Sequence, residues 1–459
     1  MPRTDASVTY LGILKLATPL ILSMSGVVLM QFMDAIFLSW YSSDAIAAVV
    51  PAFMPAMLLS SAFTGTAGYT STFVAQYVGA KRVERVAAAV WQGIYFSVFS
   101  GVVLALVAFG ARPLFALVGH SAPIQAMEVR FFTIISCGAF FFVAGSALSG
   151  FFSGRGETRA VMIVNIAGLV VNGVLDYVLI FGKFGMPRLG ITGAALATVF
   201  SQALITLIFG IAFLRRANRR QWATWRSRGL DWHLLRRLVR FGFPGGIRFS
   251  VEMAAWTVFV FFVGRIGAIE LAATNIAWRI NGIAFFPVIG LSQAVAILVG
   301  NGQGARQPEI SAKATLRGTI LSQVWMIALA IVFVVFPRQL FGIFVSADAV
   351  PHESLVRFAG LGVMLLRFVA LYCLLDALNY VLVAALVAAG DTRWTLVASL
   401  VLNGGFIAAL AAADVFNRTL FTEWFIATAF VVIQAVVWWV RFAGGKWKGF
   451  RVIEPAITE

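Results

Sequence analysis

The chain has 459 residues, of which 61% are hydrophobic and 12% charged, and this composition excludes a soluble domain with a polar surface. The apolar runs are far longer than the about 9–11 residues of a membrane β-strand, so we predict an all-α integral membrane protein. The formal charge of +16 comes largely from Lys and Arg in alternate short loops, which argues against a nucleic-acid partner.

Apolar runs of about 20 or more residues predict twelve transmembrane helices. In chain order the predicted spans are 13–40, 45–75, 86–110, 125–152, 160–182, 190–214, 236–264, 269–300, 312–336, 350–388, 393–414 and 421–443. Basic residues crowd the loops after the second, fourth, sixth and eighth spans and also the C-terminal tail. This asymmetry predicts a multi-pass protein of the inner or plasma membrane with both termini in the cytoplasm.

The first span contains Pro19 and, fifteen positions later, Asp34. Proline removes one backbone hydrogen bond and marks a predicted kink, so this helix can bend when the charge of the acid changes. An acid inside a membrane span is costly, and we interpret Asp34 as functional. The alternative is a static kink with a satisfied acid.

The fifth span contains a polar stripe within the otherwise apolar run 165–182. At about 100° per residue, Asn165, Asn172 and Asp176 lie on one face of a helix. A carboxylate that faced lipid would be strongly penalised, so the stripe should face a protein or water-filled interior. We predict a buried cation or proton site there.

The chain also repeats itself. Pro19 aligns with Pro244, and the same offset carries Gly79 onto Gly304 and Glu84 onto Glu309. Two six-helix halves with the same direction of entry predict a pseudo-twofold axis along the membrane normal. We expect an N-terminal lobe with helices 1–6 at 1–220, a basic cytoplasmic linker at 221–235, and a C-terminal lobe with helices 7–12 at 236–459.

With these features the chain resembles the MATE (multidrug and toxic compound extrusion) family of the wider flippase superfamily. The resemblance covers nearly the whole chain and rests on motifs in the order that the family shows. They are Pro19 and Asp34, GAKR at 79–82, NGVLDYVLIFG at 172–182, GITGAALAT at 190–198, GFPGG at 242–246 with Glu252, and Tyr372 with Asp376. It implies a V-shaped, twelve-helix exporter that uses a proton or sodium gradient to expel amphipathic, mostly cationic organic compounds by alternating access.

The resemblance also implies where the coupling cation binds. In the N-terminal lobe it assigns cation or proton binding to four residues, and carboxylate, amide and hydroxyl oxygens suit Na⁺. These are Asp34, Asn172, Asp176 and Thr198. The rival interpretation is a polar network that only holds helices together.

The second lobe offers a further candidate cation site. Glu252, Tyr372 and Asp376 match positions that sodium-coupled relatives use for cation binding. Arg248, Arg279 and Arg367 also lie in apolar spans. They either neutralise these acids as structural ion pairs or contact an anionic or zwitterionic substrate.

Other functions remain open at this stage. A lipid-linked precursor flippase of the same superfamily is the main alternative. A membrane-embedded transferase is a different class, and it would normally show clustered acids or a metal triad, which the sequence lacks. Without a Walker A motif, ATP is not the expected energy source. We predict a monomeric transporter of small organic substrates, not an enzyme, with no cofactor beyond H⁺ or Na⁺ as coupling ion.

Overall fold

A computed structural model of the chain describes residues 8–343, 352–416 and 419–455. Within these residues the regular structure is helical, which confirms the predicted all-α class. The α-helices are α1 (Tyr10–Tyr41), α2 (Ser43–Gly68), α3 (Thr70–Gly79), α4 (Val83–Val107), α5 (Ala111–Ala116), α6 (Ala122–Cys137), α7 (Ala139–Gly154), α8 (Thr158–Phe181), α9 (Ile191–Phe213), α10 (Arg216–Trp222), α11 (Trp232–Ile266), α12 (Ala268–Gly304), α13 (Pro308–Val335), α14 (Pro337–Gly342), α15 (His352–Ala389), α16 (Thr392–Phe416) and α17 (Leu420–Ala443). Eleven helices of the described chain are long and apolar enough to cross a membrane, or twelve if α6 and α7 form one bent span.

Two of the predicted spans are divided in the structure. The second breaks at Tyr69 into α2 and α3, and the fourth breaks at Gly138 into α6 and α7, which meet at 41°. A side chain on Gly138 would overlap Val199 of α9, so the break lets two helices approach closely. At the seventh span, α11 begins at Trp232, four residues before the predicted start, because the Asp231 side chain accepts a hydrogen bond from the backbone N–H of Leu234.

The two halves repeat the same order of helices, including the short helices α5 and α14. The turns after α3 and α12 are equivalent in detail, since Lys81 and Arg306 both have φ of 58°. A Cβ on Gly79 would meet the backbone of Asn301, and a Cβ on Gly304 would meet the backbone of Gln76. This reciprocal contact confirms the duplication read from the sequence. The lobe limits at residues 220 and 236 stay a prediction.

Contacts between the halves concentrate at the end of the molecule that contains these two turns. There α1 packs on α12, α2 packs on α11, and α3 packs on α12. Gly65 lies against Gly246, and the Ser61 and Ser250 hydroxyls are 2.6 Å apart. Small residues let the helix backbones come together without a long side chain between them.

The C-terminal tail closes this end of the molecule. Val452 and Ile453 are buried, and the Gln76 side chain accepts from Val452 N–H while it donates to the carbonyl of Ala388, both at 2.9 Å. Gln76 belongs to α3 and Ala388 to α15, so one amide joins both halves and the tail.

Glu454 anchors the C-terminal tail through its charged side chain. Its carboxylate accepts hydrogen bonds from the Tyr77 hydroxyl at 2.7 Å and from Arg85 Nε at 3.0 Å. Burial on its own would raise the pKa of Glu454, but the hydrogen bonds and the charge of Arg85 hold that pKa below its usual range. The fold therefore stabilises the ionised form of the Glu454 carboxyl group.

Candidate functional site

Two helices of the first half bring a cluster of polar groups together. Asp34 comes from α1, and Asn172 and Asp176 come from α8, where both are fully buried. With its nitrogen turned toward the acids, the Asn172 amide donates to Asp34 Oδ1 at 3.2 Å and to Asp176 Oδ2 at 3.1 Å. The stripe predicted on one face of the fifth span therefore meets the acid of the first span.

The two carboxyl groups of this cluster also lie within hydrogen-bonding reach of each other. Two ionised carboxylates repel and offer only acceptor atoms, so their close approach requires a proton or another cation between them. Asp176 Oδ1 is buried and has no hydrogen-bond partner in the described part of the chain. An unpartnered carboxylate oxygen in this position suits a proton, a hard cation or the water that accompanies it.

The interface of α1 and α8 keeps these acids in register. Asn165 Nδ2 donates to the Ser23 hydroxyl at 2.6 Å, two turns of helix away from Asn172. Gly173 leaves room for the Met33 methyl group, since a Cβ there would overlap it. A polar contact beside the cluster and a small residue within it thus keep the two helices close.

Thr198 on α9 does not join the cluster through a hydrogen bond. It is buried, and its hydroxyl donates to the Ala194 carbonyl of its own helix at 3.0 Å. Among residues 8–343 no hydrogen bond links it to either acid. Its role as a cation ligand stays a prediction that requires water or a rotated side chain.

The acids of the second half are in a different environment. Glu252 forms an ion pair with Arg248 at 2.7 Å, one turn earlier on α11. Tyr372 accepts a hydrogen bond from Asn281 at 3.1 Å. Asp376 lies near the Asn379 amide, and the charge of Glu252 is close enough to repel its carboxylate.

The arginines of the second half therefore divide into two groups. Arg248 neutralises Glu252, as the sequence allowed. Arg279 and Arg367 are exposed, and neither forms an ion pair with a carboxylate in the described ranges. Glu252, Tyr372 and Asp376 form no single cluster of hydrogen bonds in the described chain, and their cation binding stays a prediction.

A cavity of about 510 Å³ lies between α1, α2, α4, α6 and α7, and Phe249 of α11 closes one side. Its walls are mostly apolar and aromatic, with a few amide and hydroxyl groups. They include Phe53, Met57, Phe142 and Phe249, with Gln31, Ser60 and Thr64. Gln31 precedes Asp34 by three residues on α1, so the same helix carries an acid of the cluster and part of the cavity wall.

Sequence reasoning missed several polar partners. Asn281 donates to Tyr372, and Ser23 accepts from Asn165. Each of these partners is an isolated polar residue in an apolar run, and this isolation is the sequence feature that could have identified them. Glu128 is fully buried near the start of α6 and lies 2.6 Å from His120. These two residues are eight positions apart in the sequence, and no periodic pattern links them.

Comparison with known proteins agrees with this architecture. The profile of the MatE family matches residues 19–178 and 244–413, one copy in each half. The chain is 24% identical over 454 residues to a protein of Thermotoga maritima named "Probable multidrug resistance protein NorM", covering 98% of this chain and 95% of that one. It is 28% identical over 396 residues to "Multidrug resistance protein NorM" of Burkholderia vietnamiensis, covering 84% and 82%.

Solved structures share the fold. An outward-facing multidrug resistance MATE family transporter of the MOP superfamily superposes with a TM-score of 0.85 at 20% identity, over 97% of this chain and 99% of that chain. A MATE structure in complex with MaD3S superposes with a TM-score of 0.84 at 21% identity, over 97% and 100%. These likenesses confirm the predicted twelve-helix, two-lobed architecture.

Proposed function

The chain belongs to the MatE family, and from that membership we propose that it is a cation-coupled antiporter that exports amphipathic organic compounds. It is a multi-pass membrane transporter and not an enzyme. The names of its relatives, which are multidrug resistance proteins, support a broad range of substrates. The coupling ion in this proposal is H⁺ or Na⁺, with no other cofactor.

One observation carries the proposal. The buried cluster of Asp34, Asn172 and Asp176 has no arginine partner among the described residues, and its Asp34 lies on α1, which also lines the 510 Å³ cavity. Buried acids that are not neutralised by the protein need an exchangeable positive ion. Because Asp34 and Gln31 share α1, an ion bound to Asp34 can act on the cavity through this helix.

The proposed mechanism follows from charge. When a proton or Na⁺ occupies the cluster, the two acids can stay together and α1 keeps one shape. When the ion leaves, repulsion between Asp34 and Asp176 favours a different path of α1, for which Pro19 is the weak point. Gln31 then moves with α1, so ion and substrate affinities become linked, and a coupling free energy of about 1–3 kcal/mol is sufficient.

Alternating access requires two bodies. In this proposal the lobes 1–220 and 236–459, joined by the linker 221–235, rock against each other, so that the contacts near Gly79 and Gly304 form and separate in turn. The basic loops at that end support a cytoplasmic location for it and for both termini in a plasma-membrane protein. The protein works as a monomer because each chain contains both lobes.

The substrate class follows from the cavity walls. Aromatic rings attract organic cations, and methionine adapts to different shapes. Phe53, Phe142 and Phe249 supply the rings and Met57 the flexible side chain. These walls suit amphipathic, mostly cationic compounds.

The test is transport in sealed proteoliposomes, with the pH gradient and the sodium gradient imposed separately. We expect Asp34→Asn and Asp176→Asn to lose at least about 90% of gradient-driven dye export, since each removes one charge from the ion site. Asp44→Asn is the matched control, because Asp44 is exposed at the start of α2. Wild-type export by both cluster variants would show that the proposed mechanism is wrong.

The exposed Arg279 and Arg367 favour a second candidate, a transporter of anionic lipid-linked precursors. Their positive charges would suit a phosphate better than a cationic drug. This candidate predicts that the wild-type protein exports anionic dyes and does not export cationic dyes. It also predicts that Arg279→Gln and Arg367→Gln lose the export of anionic dyes.

A further inference from the structure

A groove distinct from the acid cluster and the 510 Å³ cavity lies at the end of the molecule that holds the basic loops. It has a volume of about 950 Å³ and is formed by α4, α11 and the first turn of α16. Helix α4 belongs to the first half of the chain, and α11 and α16 belong to the second. We refer to it as the α4–α11–α16 groove.

The groove is strongly basic. Arg236 and Arg240 lie one turn apart on the same face of α11, and Arg393 enters from α16. All three are exposed, and none forms an ion pair with a carboxylate in the described chain. The groove therefore presents three uncompensated positive charges within one concave surface.

Neighbouring charged residues are already occupied and do not balance these arginines. Asp231, just before α11, is 2.8 Å from Arg85 Nη1. Arg237, which lies between the two groove arginines in sequence, donates instead to the carbonyl of Val452 in the tail. His233, which also lines the groove, adds no negative charge.

The lining of the groove also contains exposed aromatic and apolar side chains. Trp232 opens α11 and is 67% exposed, as an aromatic residue at a membrane boundary is. The Tyr95 hydroxyl donates to the backbone carbonyl of Arg228 in the basic linker, and Phe99, one turn further along α4, is 60% exposed. Phe99, together with Val239 between Arg236 and Arg240 on α11, thus gives the groove an apolar wall beside its arginines.

We propose that the α4–α11–α16 groove binds an anionic phospholipid. Arg236, Arg240 and Arg393 hold its phosphate, and an acyl chain lies along Phe99 and Val239. A basic pocket between transmembrane helices at a membrane surface has the charge and shape that anionic headgroups require. A soluble phosphate would use the arginines but would gain nothing from the exposed aromatic wall.

The position of the groove gives the lipid a consequence for the whole molecule. Because its walls come from both halves, a lipid bound there bridges them at the end where α3 and α12 cross. Anionic lipid should favour the arrangement seen here over one in which this end opens.

The first experiment measures lipid binding to the purified full chain in neutral detergent by native mass spectrometry. We expect phosphatidylglycerol to be retained and phosphatidylcholine to be lost. Replacing Arg236, Arg240 and Arg393 by Gln should weaken phosphatidylglycerol binding by about tenfold or more, since each basic residue contributes to headgroup attraction. Inorganic phosphate in large excess should not displace the lipid.

The matched control replaces Arg215, Arg216 and Arg220 by Gln. These residues are exposed on the same basic face but outside the groove, so the control removes the same charge. Equal loss of phosphatidylglycerol in both triple variants would overturn the proposal in favour of general surface attraction. Displacement by inorganic phosphate would reassign the groove to a soluble anion.

A second experiment does not depend on the folding of the arginine variants. It measures the quenching of tryptophan fluorescence by brominated lipids in bilayers. The difference in fluorescence between the wild type and Trp232→Phe gives the signal of Trp232. We expect brominated phosphatidylglycerol to quench this part more strongly than brominated phosphatidylcholine does. Equal quenching by the two lipids would contradict the lipid assignment.

Discussion

At the scale of single residues, Asn172 has a central place. Its amide lies between two carboxyl groups, and donor bonds to both acids oppose their repulsion. A leucine or alanine there would leave the acids to face each other in a buried site. The contrast with Glu252, which has Arg248 as a permanent counter-ion, shows why the first half is the better candidate for an exchangeable cation.

We expect Asn172→Ala to weaken coupling without abolishing the fold. A hydrogen bond to a charged group contributes about 1.5–3 kcal/mol, so the cation concentration for half-maximal transport should change by about tenfold or more. The measurement is dye export from proteoliposomes over a range of pH and sodium. Asn165→Ala is the control, since Asn165 joins the same two helices through Ser23. An equal change in both variants would show that Asn172 only supports helix packing.

At the scale of helices, close backbone approach decides how the halves meet. The turns after α3 and α12 carry glycines because each faces the backbone of the other helix. Helix α11 begins where Asp231 can cap it, and the tail is held by Gln76 and Glu454. The Asp231 cap is local, whereas the glycine turns and the contacts of the tail depend on partners from distant parts of the chain.

Gly79→Ala should destabilise the protein. The added methyl group would overlap the backbone of Asn301, and overpacking of this kind costs about 1–3 kcal/mol. Thermal unfolding in detergent should show a lower midpoint. Gly404→Ala in α16 is the control, because a Cβ there meets nothing within 4 Å, and it should leave the midpoint unchanged or slightly higher. Equal midpoints in the two variants would contradict the close crossing.

Stability should depend on pH through the tail. Because the folded protein lowers the pKa of Glu454, this residue stabilises the fold above its usual pKa and the contribution is lost as the pH falls through the lower folded-state value. Glu454→Gln should therefore reduce stability by about 1–3 kcal/mol near neutral pH and much less in acid. Unfolding midpoints across the pH range test this. Glu309→Gln is the control, because Glu309 is 73% exposed in its pair with Lys448. An effect of Glu454→Gln that does not vary with pH would contradict the assignment.

At the scale of the whole molecule, the two halves meet at one end through α1, α2, α3, α11 and α12. One or more of these helices contribute to the 510 Å³ cavity, the acid cluster and the α4–α11–α16 groove. If transport opens this end, the contact between α2 and α11 must separate in every cycle. The hydroxyls of Ser61 and Ser250 mark that contact.

A disulfide between Ser61→Cys and Ser250→Cys should stop transport. The two side chains touch across the halves at 2.6 Å, so oxidation would fix the arrangement seen here. We expect export to be lost after oxidation and restored by a thiol reductant, while each single variant keeps its activity. Full export by the oxidised double variant, with the disulfide verified by mass spectrometry, would show that these helices do not separate.

The sequence by itself determined the membrane environment, the number of spans, the duplication and the polar stripe of α8. These features follow from hydrophobic run length and helical period, which are properties of neighbouring residues. Only the tertiary structure decided that Asn172 bridges Asp34 and Asp176, that Thr198 bonds to its own helix, and that Arg248 rather than Arg279 or Arg367 neutralises Glu252. Such pairings depend on how helices far apart in the chain are rotated and packed against each other, and a periodic pattern along one helix does not fix that rotation relative to its neighbours.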